Sequence, residues 1–165
     1  MCLECNVADY ERANELSMEY RFVHHWQYEP GMEENTILQA AVEFANNARG
    51  KDFLTKAAAF ISRYTNAAYV TIGITSDDCT HIHTCVFLKN GMPLPNFTYQ
   101  LKGTPCDAVL IQRFCYYPEK VTESFPSDKE LQDFNIESYL GSVLLSDQSE
   151  LLGLIAIMDE KTIEN

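Results

Sequence analysis

The sequence predicts an α+β domain, and three observations carry that prediction. Apolar residues recur at helical spacing as far as Asn66 and alternate with polar ones after it, so helices precede strands. Asn90-Gly91 stands between two alternating runs, the strongest short-range signal for a two-residue β-hairpin. The chain then closes on two strongly apolar runs, "SYLGSVLL" and "LLGLIAIMD", separated by the turn "SDQSE". With 165 residues and 46% apolar content, one domain with a core and an appendage is the expectation.

The elements follow in order. Between Asp9 and about Trp26, Ala13, Leu16, Tyr20 and Val23 make a helical stripe among Glu11, Arg12, Glu15 and Glu19, which Pro30-Gly31 ends. Residues 1–34 are therefore read as an N-terminal helical extension. A second helix is predicted from about Thr36 to Ala48, with Ile37, Leu38, Ala41, Val42 and Ala45 on one face, and Gly50 stops it. A third places Phe53, Ala57, Phe60, Ile61 and Tyr64 on one stripe. "AYVTIGIT" and "THIHTCVFL" then read as strands around the turn "SDDC", with Asn96 to Leu101 as the partner strand after the hairpin. The two apolar runs at the end suit central strands.

Two short helices are expected between the hairpin and the last strands. "GTPCD" is a helix-start device: Gly103 bends the chain, Thr104 caps, Pro105 takes the first helical position and Asp107 meets the helix dipole at the third. Cys106 then falls in the first turn, where the dipole is expected to lower a thiol's pKa. In "SDKE", Ser127 is expected to cap the next helix, with Glu130 completing a capping box.

Charge narrows the function classes. A net charge of -12 offers no electrostatic footprint for nucleic acid or an anionic membrane. No apolar run approaches the roughly 20 residues of a membrane span, and "MCLECNVADYER" lacks the basic and apolar regions of a signal peptide. The expected location is the cytoplasm, which makes reduced thiols the expectation for the six cysteines and gives the "NFT" at Asn96 no glycosylation role.

The metal reading fails on geometry. Cys79, His81, His83 and Cys85 alternate and would share one strand face, opposite Ile82, Val86 and Leu88. A straight row, spaced about 6.5 Å per pair of residues, cannot converge on one tetrahedral ion. Cys2 and Cys5 have the spacing of half a zinc site, with His24-His25 downstream, but no second pair completes it. The aromatic stretch "EYRFVHHWQYEPG" reads as a packing stripe. "GxSxG", Walker and "HExxH" patterns are absent, so no catalytic constellation is expected.

The words "FLKNGMPLPNFTYQLKGTPCDAVL", "CYYPEKVTESFPSDKEL", "NIESYLGSVLL" and "LLGLIAIMD", in this order, resemble the GAF domains found upstream of bacterial histidine kinases and diguanylate cyclases. The resemblance covers roughly Asn35 to Asp159, and it assigns residues 35–165 to the GAF domain. It implies a PAS-like fold, a central antiparallel sheet flanked by helices, with a small-molecule pocket between one sheet face and the short-helix segment. Pocket candidates on that basis are Cys106, Arg113, Cys115, Tyr117, Phe125 and Tyr139. Arg113 could hold a carboxylate through its planar fork. The readers of cyclic nucleotides and the Cys-His pair of bilin-binding members have no counterpart here, so the cofactor stays unassigned.

What the resemblance implies for function is a non-catalytic sensory module, homodimeric through its helices, that passes the state of its pocket to a downstream kinase or cyclase domain. Only "EKTIEN" follows the last strand, so the C-terminal helix usual in such domains is expected to be missing and the chain to be a fragment. The alternative is a stand-alone GAF enzyme that reduces free methionine sulfoxide through Cys106. Against it, that family has a glycine-rich "GxGVCG" run where this chain has "KGTPCD", and a further cysteine where "SDKELQDFNIES" has none.

Overall fold

A computed structural model describes residues 32–47, 50 and 52–163 of the chain. They belong to two compact units that divide after Gly50. The first contributes helix α1 (Met32–Asn47), on which Leu38 is 56% and Val42 60% exposed. The helix expected over residues 9–26 lies outside the described residues.

The second unit opens with α2 (Phe53–Thr65). Asn66 ends it in the left-handed conformation at φ 52°, its N–H bonded to the Ser62 carbonyl at 3.1 Å. Next come β1 (Tyr69–Thr75), β2 (His81–Lys89), β3 (Met92–Pro93) and β4 (Thr98–Gln100). Helix α3 (Pro105–Gln112), β5 (Phe114–Tyr117), α4 (Val121–Ser124) and α5 (Lys129–Asp133) follow, and β6 (Ser138–Leu145) and β7 (Leu151–Asp159) close the unit. The seven strands form one antiparallel sheet of order β3-β2-β1-β7-β6-β5, with β4 paired to β2 beside β3. The terminal strand pair is internal to the sheet, as its unbroken apolar character requires.

Asn90 and Gly91 both take positive φ, 50° and 75°, and join β2 to β3 by the two-residue turn that the sequence predicts. The predicted partner strand is split: β3 pairs with Leu88 and Lys89, while β4 pairs with His81 to His83. Thr84 bridges the gap, its backbone N–H donating to the Phe97 carbonyl at 3.0 Å and its hydroxyl accepting the Phe97 N–H at 2.7 Å.

Each sheet face has its own core. Ala58 of α2 packs with Val70, Ile72, Val86 and Leu88 on one face. On the other, Tyr69, Ile82, Phe87, Leu101, Leu154 and Ala156 meet side chains of the α3–α5 region. A bulge between Ile72/Gly73 and the facing Val86/Thr84 shifts the register, leaving Cys85 as the extra residue. Cys85 and Val86 therefore lie with the α2 core, while Ile82 and Phe87 share the opposite face although their spacing is odd. This corrects the expected strand row in two ways. Val86 and Leu88 are not on the face of Ile82, and Cys79 lies in the turn before β2 at φ 54°.

Helix α3 begins as its sequence predicts. The Thr104 side chain accepts the Asp107 N–H at 3.3 Å, Pro105 opens the helix, and the Thr104 hydroxyl also donates to the Leu101 carbonyl at 2.6 Å. Thr104 is buried, so Thr104→Ala is expected to lower stability by about 1–2 kcal/mol, read as a lower urea midpoint at unchanged slope. An unshifted midpoint would contradict the cap. At α5 the expectation is corrected: Asp128, not Ser127, is the cap, its Oδ1 accepting the Leu131 N–H at 3.1 Å. The region also contains β5 and α4, which the sequence reading leaves out.

Candidate functional site

Between the second core face and the α3–α5 segment the sheet does not close completely. The gap holds about 460 Å³ of atom-free space when its open mouth is counted, and only about 40 Å³ of it admits the centre of a water molecule. A single water needs about 10–15 Å³ by that measure, so the inner cavity has room for roughly three. Five aromatic side chains wall it: Phe87, Phe97, Tyr99, Phe134 and Tyr139. The rings are mutually packed, with Phe87 and Phe97 edge to face at 5.3 Å, Phe97 and Tyr99 at 5.5 Å, and Phe87 and Phe134 at 5.6 Å. Thr71, Cys106, Asp128 and Glu130 supply the polar groups.

The cap on α3 sets Cys106 at the base of this cavity, between two phenols. Tyr99 donates to its Sγ at 3.1 Å, and the Tyr139 hydroxyl lies 3.2 Å away on the other side. Burial pushes the thiol up to about 11, against the pull of those two hydroxyls. Burial likewise holds both phenols well above their usual range. The lowered pKa expected from the helix dipole is not what the site gives, because desolvation of the buried thiolate is the largest influence on Cys106. All three groups are neutral near pH 7, and a protonated thiol is a poor nucleophile.

Cys115 is buried in the same core, its Sγ 3.5 Å from Gln112 Oε1, and burial pushes it up to about 11 as well. Cys85, Cys106 and Cys115 are free thiols, whereas Cys79 is disulfide-bonded, which corrects the expectation of reduced thiols at that position. Among the described residues no group of three His, Cys, Asp or Glu side chains is placed to hold a metal. His81 and His83 bond instead to the hydroxyls of Thr80, at 2.7 Å, and Thr98, at 2.8 Å.

Of the six pocket candidates, Cys106 and Tyr139 line the cavity. Tyr117 stands behind it, edge to face with Phe125 at 5.3 Å and 6.3 Å from the Tyr139 ring. Arg113 is outside, exposed in a left-handed C-cap of α3 at φ 69°, where its carbonyl accepts the Val143 N–H. Phe87, Phe97, Tyr99 and Phe134 are walls that sequence reasoning passes over. For Phe97 and Tyr99 the signal is the apolar-polar alternation of "NFTYQL", which puts both on one face.

Asp128 is another lining residue that the sequence does not reveal. It is 7% exposed, and burial, reinforced by the neighbouring Glu130 charge, raises its carboxyl to about 6 despite the Leu131 N–H. A carboxyl raised above its unfolded value of about 3.9 favours folding most at low pH, and this contribution is lost as pH rises through about 6. Asp128→Asn keeps the cap and removes the titration. Its stability relative to wild type is therefore expected to improve by about 1–2 kcal/mol between pH 4 and pH 7, measured by urea midpoints. An unchanged difference across that range would contradict a buried, titrating Asp128.

No protein-family model matches the sequence, and no curated protein matches it. Solved structures do. The GAF domain of an Acinetobacter phosphoenolpyruvate-protein phosphotransferase superposes with a TM-score of 0.58 at 11% identity, over 82% of either chain. This chain has the GAF fold. A free methionine-R-sulfoxide reductase from Neisseria meningitidis, solved with its substrate, matches at TM-score 0.62 and 12% identity over 86% of this chain and 82% of its own. The chromophore-binding domain of a Stigmatella aurantiaca phytochrome matches 84% of this chain at TM-score 0.62 and 12% identity, and this chain spans about half of that domain, 55%. At these identities the likeness establishes the GAF fold and leaves ligand and activity to the site itself.

Proposed function

We propose that this chain is a non-catalytic sensory or regulatory GAF module of a bacterial signal-transduction protein. Its cavity takes a small molecule, and its occupancy is passed to a downstream output domain such as a kinase or cyclase. The phytochrome and phosphotransferase neighbours support a regulatory setting. The observation that carries the reading is the cavity itself: aromatic walls around a few polar groups, with its one thiol enclosed between two phenols and pushed up to about 11. That is the character of a binding pocket rather than of an activated nucleophile. The module works in the cytoplasm as a homodimer through its N-terminal helices, a reading favoured by the exposed Leu38 and Val42 on α1.

The Neisseria neighbour supports a second reading, reduction of free methionine sulfoxide through Cys106. One assay separates the two. The purified chain, given free methionine sulfoxide and dithiothreitol, is expected to form no methionine above the protein-free control at pH 7. Turnover that Cys106→Ser abolishes would replace the sensory reading with the enzymatic one.

A further inference from the structure

The cavity joins aromatic walls to a pair of acidic residues that no lysine or arginine among the described residues pairs with. Asp128 and Glu130 both line it, with Phe87, Phe97, Tyr99 and Phe134 around them, and neither lysine nor arginine is among the lining residues. Among the described residues the one ion pair within 4.0 Å is Lys89–Glu160, so neither lining carboxylate has such a partner. Asp128 has more than nine-tenths of its surface covered and caps α5, its Oδ1 accepting the Leu131 N–H, whereas Glu130 is exposed. A buried carboxylate without a counter-charge is costly, and a fold that keeps one in a cavity gains from a ligand that supplies the missing charge. The chain as a whole, at -12, strengthens the same field.

Aromatic faces add to this attraction. A ring presents negative potential from its face, so several rings around a cation replace part of its hydration. An anionic ligand meets the opposite situation, since it would have to enter beside two carboxylates with no basic side chain to receive it. From the juxtaposition of Asp128 and Glu130 with the rings of Phe97, Tyr99 and Phe134, we propose that the cavity selects a small organic cation bearing an alkylammonium head. The inference rests on the reading of the cavity as a ligand site and specifies the chemical class of its ligand.

Three probes of nearly equal shape test it: choline, its neutral isostere 3,3-dimethylbutan-1-ol, and the anion 3,3-dimethylbutanoate. Each is titrated into the purified full chain at pH 7.5, followed through the amide resonances of Phe97, Tyr99 and Cys106. Choline is expected to bind about tenfold more tightly than the alcohol, with the anion weakest. The double variant Asp128→Asn, Glu130→Gln is expected to abolish the preference for choline over the alcohol. That the variant stays folded is read from its amide spectrum, and single Asp128→Asn, which keeps the cap, serves if the double variant does not fold.

Alcohol or anion binding as tightly as choline would overturn the cation preference and leave the pocket reading standing. Choline binding that the variants do not weaken would place the cation elsewhere and overturn the proposal too. If none of the probes moves these resonances, both the cation preference and the cavity as a ligand site are overturned.

Discussion

Gly153→Ala is expected to destabilise the protein by about 3 kcal/mol, through backbone contact rather than lost packing. Gly153 pairs with Ile74, and its neighbour Leu154 pairs with Gly73, where β1 and β7 run side by side at the centre of the sheet. A Cβ on Gly153 would overlap the Gly73 carbonyl and stand 2.8 Å from the Ile74 Cα. Backbone atoms cannot rotate away as the end of a flexible side chain can. Gly73 is itself in a tight place, since a Cβ on it would overlap the Ile82 side chain and stand 3.2 Å from the His83 carbonyl. Both strands would have to separate next to the bulge, weakening ladder bonds on either side. Urea unfolding should show a midpoint far below wild type with an unchanged slope, and a wild-type midpoint would contradict the close approach of these strands.

That approach is one of several features the sequence hides for an identifiable reason. Period and turn chemistry made most of the fold legible: the change from helical spacing to alternation at Asn66, the Asn90-Gly91 turn and the Thr104-Pro105 helix start all stand where the sequence predicts them. Register is different, since it depends on what each strand pairs with. One extra residue at Cys85 sends Val86 to the α2 face and Phe87 to the cavity, and nothing in "THIHTCVFL" marks it.

Capping in "SDKE" was ambiguous because Ser127 and Asp128 are both good caps. The choice follows from position, as the Ser127 hydroxyl instead lies 3.5 Å from the Gly103 carbonyl. For Cys106 the sequence shows the helix position, which argues for a dipole effect, but not the burial that opposes it. A local sequence shows the dipole, whereas the burial that outweighs it comes from the assembled core, and it acts against the hydroxyls of Tyr99 and Tyr139, 7 residues before and 33 after Cys106.

Tyr139→Ala should cost about 3–5 kcal/mol, since it empties the space of a fully buried ring. The site is built to hold that ring and its hydroxyl. Gly141, two residues along the same strand face, leaves the space the phenol occupies: a Cβ there would lie 2.6 Å from both the Tyr139 hydroxyl and Val109 Cγ2. Tyr139 already lines the cavity, so its removal should extend that space inward toward Tyr117, whose ring lies 6.3 Å away. Phenol, which restores the ring and its hydroxyl, is then expected to raise the melting temperature of Tyr139→Ala while leaving wild type unshifted.

Tyr139→Phe separates packing from hydrogen bonding. It keeps the ring and removes one of the two hydroxyls beside Cys106, so it should cost only about 1 kcal/mol. The same hydroxyl is among the groups that hold the thiol down, and its loss is expected to raise the Cys106 pKa further and slow alkylation by iodoacetamide near pH 9. Faster alkylation without loss of folding would mean that the phenol shields the thiol rather than stabilising its anion. A Tyr139→Ala melt that is close to wild type would show that the ring does not support this side of the core.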